Sequence, residues 1–249
     1  MTIEEAEELC KMIRVGVDLS KPKYQPKTTK ELRDLIKELI EERGNEANLN
    51  DVDVSQITDM NELFYDSQFN GDISKWNVSN VENMALMFKN SKFNGDISKW
   101  NVSGVEDMSW MFSDSQFNGN ISKWNVSGVK NMDGMFWRSK FNGDISNWNV
   151  SNVEDMGWMF QYSKFNGDIS NWNVSRVKNM AHMFYKSKFN GDISKWDVSG
   201  VKDMNNMFTS SKFNGDISNW DVSNVEWMSN MFTYSQFKGD ISKWAKKPE

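Results

Sequence analysis

The sequence predicts an α/β repeat solenoid with an N-terminal helical cap. Three observations carry that prediction. The phrase Phe-Asn-Gly-Asp-Ile-Ser-Lys-Trp begins at Phe69 and returns, with few changes, at Phe93, Phe117, Phe141, Phe165, Phe189, Phe213 and Phe237, a fixed period of 24 residues. A period of that length marks a solenoid, whose units bury their apolar sides against one another. Each unit also pairs a short apolar–polar–apolar alternation with a run at helical spacing. Two amphipathic helical patterns precede the array, where a terminal unit needs a cover.

The cap spans residues 1–48. In its first pattern Thr2 and Glu5 form a capping box, and Ile3, Ala6, Leu9, Cys10 and Ile13 share one face. Lys21-Pro22 to Gln25-Pro26 is a break. In the second, Thr28 and Glu31 repeat the capping box, and Leu32, Leu35, Ile36, Leu39 and Ile40 follow the spacing of a half-buried helix. Gly44 fits its stop. The array spans 49–249, about eight repeats, and Leu49–Met60 is a divergent first unit.

In the unit that starts at Phe69 the apolar positions are Ile73, Trp76, Val78, Val81, Met84, Met87 and Phe88. Trp76-Asn77-Val78 alternates as a short parallel strand does. Val81, Met84, Met87 and Phe88 fall at the spacing of a short α or 3₁₀ helix, ended by Ser91. Asn70-Gly71 is a tight-turn dipeptide, since both residues tolerate positive φ. The Trp76, Phe88 and Met84/Met87 columns are expected to stack into the core, about 4.8 Å per rung. At that spacing the methionines are core rather than a partner groove or metal box.

The spacing Ile73-x-x-Trp76-x-Val78-x-x-Val81-x-x-Met84-x-x-Met87-Phe88-x-x-Ser91 resembles the BspA-type leucine-rich repeat. Its wording is closer still to the domain-of-unknown-function subfamily of that class found in bacterial surface proteins and lipoproteins. The resemblance runs from Leu49 to Trp244. Leucine is nearly absent from the array, and Ser91 stands where that class often has Cys or Asn. The resemblance implies a curved right-handed solenoid with a parallel sheet on its inner face, a cell-surface or secreted location, and a role in protein binding or adhesion.

Composition narrows the function. A net charge of −6 argues against a nucleic-acid binder. With one cysteine, Cys10, and one histidine, His182, a zinc cluster is not expected, and neither is any other cofactor. No stretch approaches the roughly 20 apolar residues of a membrane helix. The acidic start, Met1-Thr-Ile-Glu-Glu, does not resemble a signal peptide, so the chain as given reads as leaderless. Asp72, Asp96, Asp144, Asp168, Asp192, Asp216 and Asp240, with Asn120 in the remaining unit, invite a calcium reading. A single carboxylate per turn instead favours acceptors for backbone N–H groups. No serine, histidine or carboxylate set is distinguished from its repeats, so an enzyme is not expected.

Function is then sought where the repeat varies. The Lys75, Lys99, Lys123 and Asn77, Asn101, Asn125 columns form a uniform ladder, assigned to the inner face, on which a glycan is an alternative ligand. Positions equivalent to 85, 86, 89 and 90 change in every unit and lie off the core face. There Trp110, Trp137, Arg138, Trp158, Tyr162, His182 and Tyr185 come from consecutive units, and are expected to form one exposed patch that binds another protein. Self-association through the solenoid ends is the other partner expected.

Overall fold

The computed structural model describes Thr2 and residues 22–248. The first cap pattern, with Cys10, lies outside the described residues. The second is a helix, α1, Thr29–Arg43. The extended N-cap Thr28 accepts the Glu31 N–H on its hydroxyl at 3.1 Å. The Glu31 carboxylate accepts in return from the Lys27 N–H, one residue ahead of the cap, at 2.7 Å. Gly44, at φ 86°, ends the helix with its N–H on the Ile40 carbonyl. Leu32, Ile36 and Leu39 are buried in one core with Leu49, Met60 and Phe64, so α1 lies on the first rung. The segment ahead of Leu49 also bonds to the following rung: Asn70 and Asp72 N–H donate to the Asn45 and Ala47 carbonyls, at 2.8 and 3.0 Å.

The rungs are built differently from the α/β expectation. Among the described residues the chain pairing is a column of isolated parallel bridges, Asp59–Asn83–Asp107–Asn131–Asp155–Asn179–Asp203–Trp227, with two more at Tyr24–Val52 and Asn48–Asp72. Trp76–Val78 is not a strand. Trp76 N–H closes a turn onto Ile73 O (3.2 Å), Val81 N–H closes another onto Val78 O (3.0 Å), and the Asn77 carboxamide accepts from Ser79 N–H (3.2 Å). Local side-chain bonds of this kind hold the backbone in corners and compete with a ladder.

Nor is 81–88 a helix. Met87, Lys89 and Ser91 N–H bond to Met84, Leu86 and Phe88 O (3.3, 3.1 and 3.2 Å), so the segment is a chain of β-turns. Leu86 and Asn90 are left-handed, at φ 60° and 54°, the third position of a type II turn. Handedness therefore alternates along the segment. The N–H groups of Met84, Leu86, Phe88 and Asn90 point out of the rung, to Asp107, Ser109, Met111 and Ser113 O at 2.8–3.0 Å. A helix would have used those donors within the rung. Turns of this kind bring residues three apart to one side, as a helix does, which explains why the spacing suggested one.

The repeated side chains do three jobs. Met84, Met87, Phe88, Phe93, Ile97 and Trp100 are buried, as are their equivalents through most of the array. In the Trp76 column each indole N–H donates to a backbone carbonyl of the preceding rung, Trp76 to Leu49 O at 2.9 Å and the later ones to isoleucine, as Trp100 to Ile73 O at 3.2 Å and Trp124 to Ile97 O at 3.1 Å. Asn70 does not sit at a left-handed turn: its side-chain oxygen accepts the Asn94 N–H at 2.8 Å, and the same bond recurs up the column. Gly95 is small because its neighbour is close, a Cβ there meeting the Phe93 ring at 2.8 Å.

Rung separation is not uniform. Equivalent rings are nearly parallel, and their displacement is 5.5–5.9 Å in the Phe88 column. It is 6.2–6.4 Å in the Phe69 column and 6.4 Å between Trp76 and Trp100, not the sheet spacing expected. Backbones joined by a bridge lie about 4.8 Å apart. The rungs thus fan outward from the bridged column, which is the inner side of the curve. The Lys/Asn ladder flanks the Trp column on the wider side, the reverse of its assignment from sequence.

Candidate interaction surface

The variable residues belong to the turn chain beside the bridged column. Two of the four variable columns are left-handed: Leu86, Trp110, Gly134, Trp158, His182, Asn206 and Asn230 in one, and Asn90, Asp114, Arg138, Tyr162, Lys186, Ser210 and Tyr234 in the other. Left-handed φ strains an L-residue by about 1–2 kcal/mol, and a Trp or Tyr relieves none of it. These rings are held by what they touch.

Two aromatic clusters result, not one uniform patch. In the first, the Trp110 and Trp137 rings meet at 5.9 Å. Lys89 lies over Trp110 at 4.8 Å and Arg138 over Trp137 at 5.1 Å, with Arg138 also paired to Asp114 at 3.3 Å. Trp110 leans toward the next rung, where Gly134 leaves room: a Cβ at Gly134 would lie 2.5 Å from the indole. In the second, Trp158 stacks on His182 at 5.2 Å and 7°. Tyr185 touches both His182 and Tyr162, each at 5.5 Å, and Lys186 lies over the two tyrosines at 5.3 and 5.4 Å.

Exposure corrects the sequence reading further. Trp110, Trp137, Trp158, His182 and Tyr185 are half-buried against one another; of the seven residues only Arg138 and Tyr162, 44% accessible, are exposed. Large exposed rings occur instead near the ends, at Tyr65, Trp227 and Tyr234.

Between the clusters is a carboxylate that sequence comparison missed. Asp133 accepts the Trp110 indole N–H on Oδ2 at 2.8 Å, while its Oδ1 is buried without a partner. Burial, then the nearby Asp155, push its carboxyl up to about 6. Gly157 makes space for this crowding, since a Cβ there would lie 3.0 Å from Asp133 Oδ1 and 2.8 Å from Asn179 Nδ2. The bridged column itself alternates Asp and Asn from Asp59 to Asp203. Asn179 Nδ2 donates to Asp155 at 3.1 and 3.2 Å, so an amide separates each pair of carboxylates that a uniform column would set against each other. The signal was available as a period of two rungs at the residue before each first methionine. His182, also burial-shifted, is pushed down.

The Asp72-type carboxylates are held by their own turns. Ser74, Ser98, Ser146, Ser170, Ser194, Ser218 and Ser242 N–H donate to the aspartate two residues earlier, at 2.7–2.9 Å. For Asp144, Asp168, Asp192, Asp216 and Asp240 the backbone bond, then the serine hydroxyl, lowers the carboxyl below its usual range. No group of three or more His, Cys, Asp or Glu suited to a metal occurs among the described residues. No helix among them is long and apolar enough to cross a membrane.

No curated protein and no solved structure matches the chain. A family model described as "Mycoplasma protein of unknown function, DUF285" matches in tandem, over residues 34–140, 89–188, 111–210 and 162–248. The overlapping matches begin inside α1 and run through the array to residue 248, and the chain belongs to this repeat family.

Proposed function

We propose that the chain is a non-enzymatic repeat scaffold that binds another protein through the inner, turn-chain side. The observation that carries this reading is the pairing of aromatic clusters with cations, Lys89 and Arg138 on one and Lys186 on the other, on columns that change from rung to rung. Aromatic and Arg side chains are the usual anchors of protein interfaces. The resemblance to BspA-type repeats supports the same role, and with it an adhesive function at a cell surface.

A glycan along the Lys/Asn ladder has less support, because the Asn77, Asn101 and Asn125 carboxamide oxygens already accept from Ser79, Ser103 and Ser127 N–H. A self-assembling rod has less support too, because α1 covers the first rung.

The test is capture on the immobilised chain with identification of bound proteins by mass spectrometry. Arg138→Ala with Tyr162→Ala and Lys186→Ala is expected to abolish capture with an unchanged melting curve. Undiminished capture by this variant overturns the reading. Trp110→Ala and Trp158→Ala are unsuitable, since these rings fill space between rungs.

A further inference from the structure

Same-sign charges in adjacent rungs repel, and several columns of the array relieve that repulsion. The bridged column alternates Asp and Asn. Lys130 pairs with Glu106 at 2.8 Å and Lys202 with Glu226 at 3.2 Å. Lys99 and Lys195 stand by Asp96 and Asp192, carboxyls lowered first by their serine bonds and then by these lysines. The column just past the turn chain has no such relief. Lys140, Lys164, Lys188 and Lys212 hold equivalent positions in consecutive rungs, all exposed. None of their ammonium groups is paired with a carboxylate among the described residues.

A second row of donors runs beside it. Buried Phe141 separates Lys140 from Asn142, and both of these are exposed, so they share the outer side of the rung. Asn142 Oδ1 accepts the Asn166 N–H at 2.9 Å, Asn166 Oδ1 the Asn190 N–H at 2.8 Å, and Asn190 Oδ1 the Asn214 N–H at 2.7 Å. With each oxygen held by the next rung, the direction of each Nδ2 is fixed as well, and no described residue accepts from it. Ammonium and amide NH₂ groups are donors alone. Each rung therefore offers one cation and one oriented amide that nothing in the described chain receives. The rungs are displaced by 6.4 Å here, from Phe141 to Phe165, to Phe189 and to Phe213.

We propose that the Lys140–Lys212 strip docks an extended segment of a partner protein that carries Asp or Glu at alternate residues. An extended chain repeats the direction of its side chains and of its carbonyls every two residues, about 6.6–6.8 Å. Alternate carboxylates then fall on successive lysines and alternate carbonyls on successive Asn Nδ2 groups, with a drift of about 1 Å over the strip. Main-chain bonds joined to alternate side-chain contacts are how extended peptides are recognised. The surroundings disfavour other polyanions. Asp144, Asp168, Asp192 and Asp216, two residues beyond the amides, form a negative border that a broad sulfated glycan or a duplex would overlap. A single nucleic-acid strand uses rings on which successive bases stack, and of the cluster rings beside the strip only Tyr162 is exposed. The strip rests on the reading of the chain as a protein-binding scaffold, but it uses no residue of the aromatic clusters.

The probe is a synthetic octapeptide of alternating Glu and Thr. Titrated into isotope-labelled protein, it is expected to shift the side-chain amide signals of Asn142, Asn166 and Asn190. An octapeptide of the same composition with its glutamates in one block is expected to bind about tenfold more weakly. Asn166→Asp keeps the oxygen that holds the Asn190 N–H and removes the donor. Combined with Lys164→Gln and Lys188→Gln, it is expected to lower the affinity about tenfold with an unchanged melting curve. No shift at millimolar peptide, equal affinity for the two octapeptides, or undiminished affinity of the triple variant each overturn the proposal. So do shifts of the Trp110, Trp137 and Trp158 indole signals in place of the Asn amides, which would assign the peptide to the aromatic clusters. Tighter binding of an oligothymidylate or a heparin octasaccharide than of the alternating peptide overturns it as well. None of these outcomes alters the capture result for Arg138, Tyr162 and Lys186, so the two readings fail separately.

Discussion

The corner side of each rung and its turn chain follow opposite rules. At Phe93-Asn94-Gly95-Asp96-Ile97-Ser98 nearly every side chain has a fixed partner: the Phe93 ring packs on Gly95, Asn94 Oδ1 holds Asn118 N–H, and Asp96 Oδ1 holds Ser98 N–H at 2.9 Å. In the stretch from Met108 to Ser115 the backbone makes most of the contacts between rungs, and the constant buried side chains are Met108, Met111, Phe112 and Ser115. Trp110, Ser113 and Asp114 vary from rung to rung because any residue supplies the same N–H and C=O. The fold is kept by side chains at the corners and by backbone along the turn chain, so change accumulates on the latter.

Four substitutions break or sharpen this contrast. Phe136→Ala removes a buried ring stacked on Phe112, Phe141 and Phe160; the expected loss is about 3–5 kcal/mol in denaturant unfolding. A loss below 1 kcal/mol would mean the columns do not hold the rungs.

Gly134→Ala tests the turn chain itself. Gly134 has φ 59° and the Trp110 indole where a Cβ would be. Displacing that ring is expected to destabilise by about 1–3 kcal/mol, with a red shift in tryptophan emission. Retained stability and emission would remove Trp110 from this site.

Asp133→Asn is smaller and depends on pH. The folded carboxyl is raised to about 6 from 3.8, so its protonated form is favoured by folding and the stability is full below pH 3.8. That contribution is lost as pH rises toward 6, and stays lost above it. The variant is expected to be more stable than the parent by about 1 kcal/mol at pH 7, after allowing for partial solvent screening, and equal near pH 3.5. A difference independent of pH would rule out the carboxyl as its source.

Tyr162→Ala should matter least to folding. It is exposed, its contacts are Tyr185 and Lys186, and the expected change in stability is within about 0.5 kcal/mol. A larger loss would place the second cluster in the structural part of the comparison, not in the part free to bind.

Legibility followed the same division. The period, the buried Trp, Phe and Met columns, helix α1 and the Asp-to-Ser turns were readable, because each depends on a side chain and its neighbours in sequence. The strand at Trp76 and the helix at Val81–Phe88 were misread. Apolar spacing reports which side a residue faces, and a turn chain satisfies the same spacing. Asp133 and the Asp/Asn alternation escaped notice because their meaning lies between residues 24 apart.

By itself the sequence determined that the protein is a stacked array with an identifiable core and a helix at one end. Burial of repeated aromatics requires that whatever path the backbone takes. Only the tertiary structure decided the direction of the bonds between rungs, in which the turn-chain N–H groups donate forward to the next rung. It follows from the alternating handedness of Leu86 and Asn90 and their repeats, a backbone property that residues as different as Trp, His, Asn and Gly share in the same column.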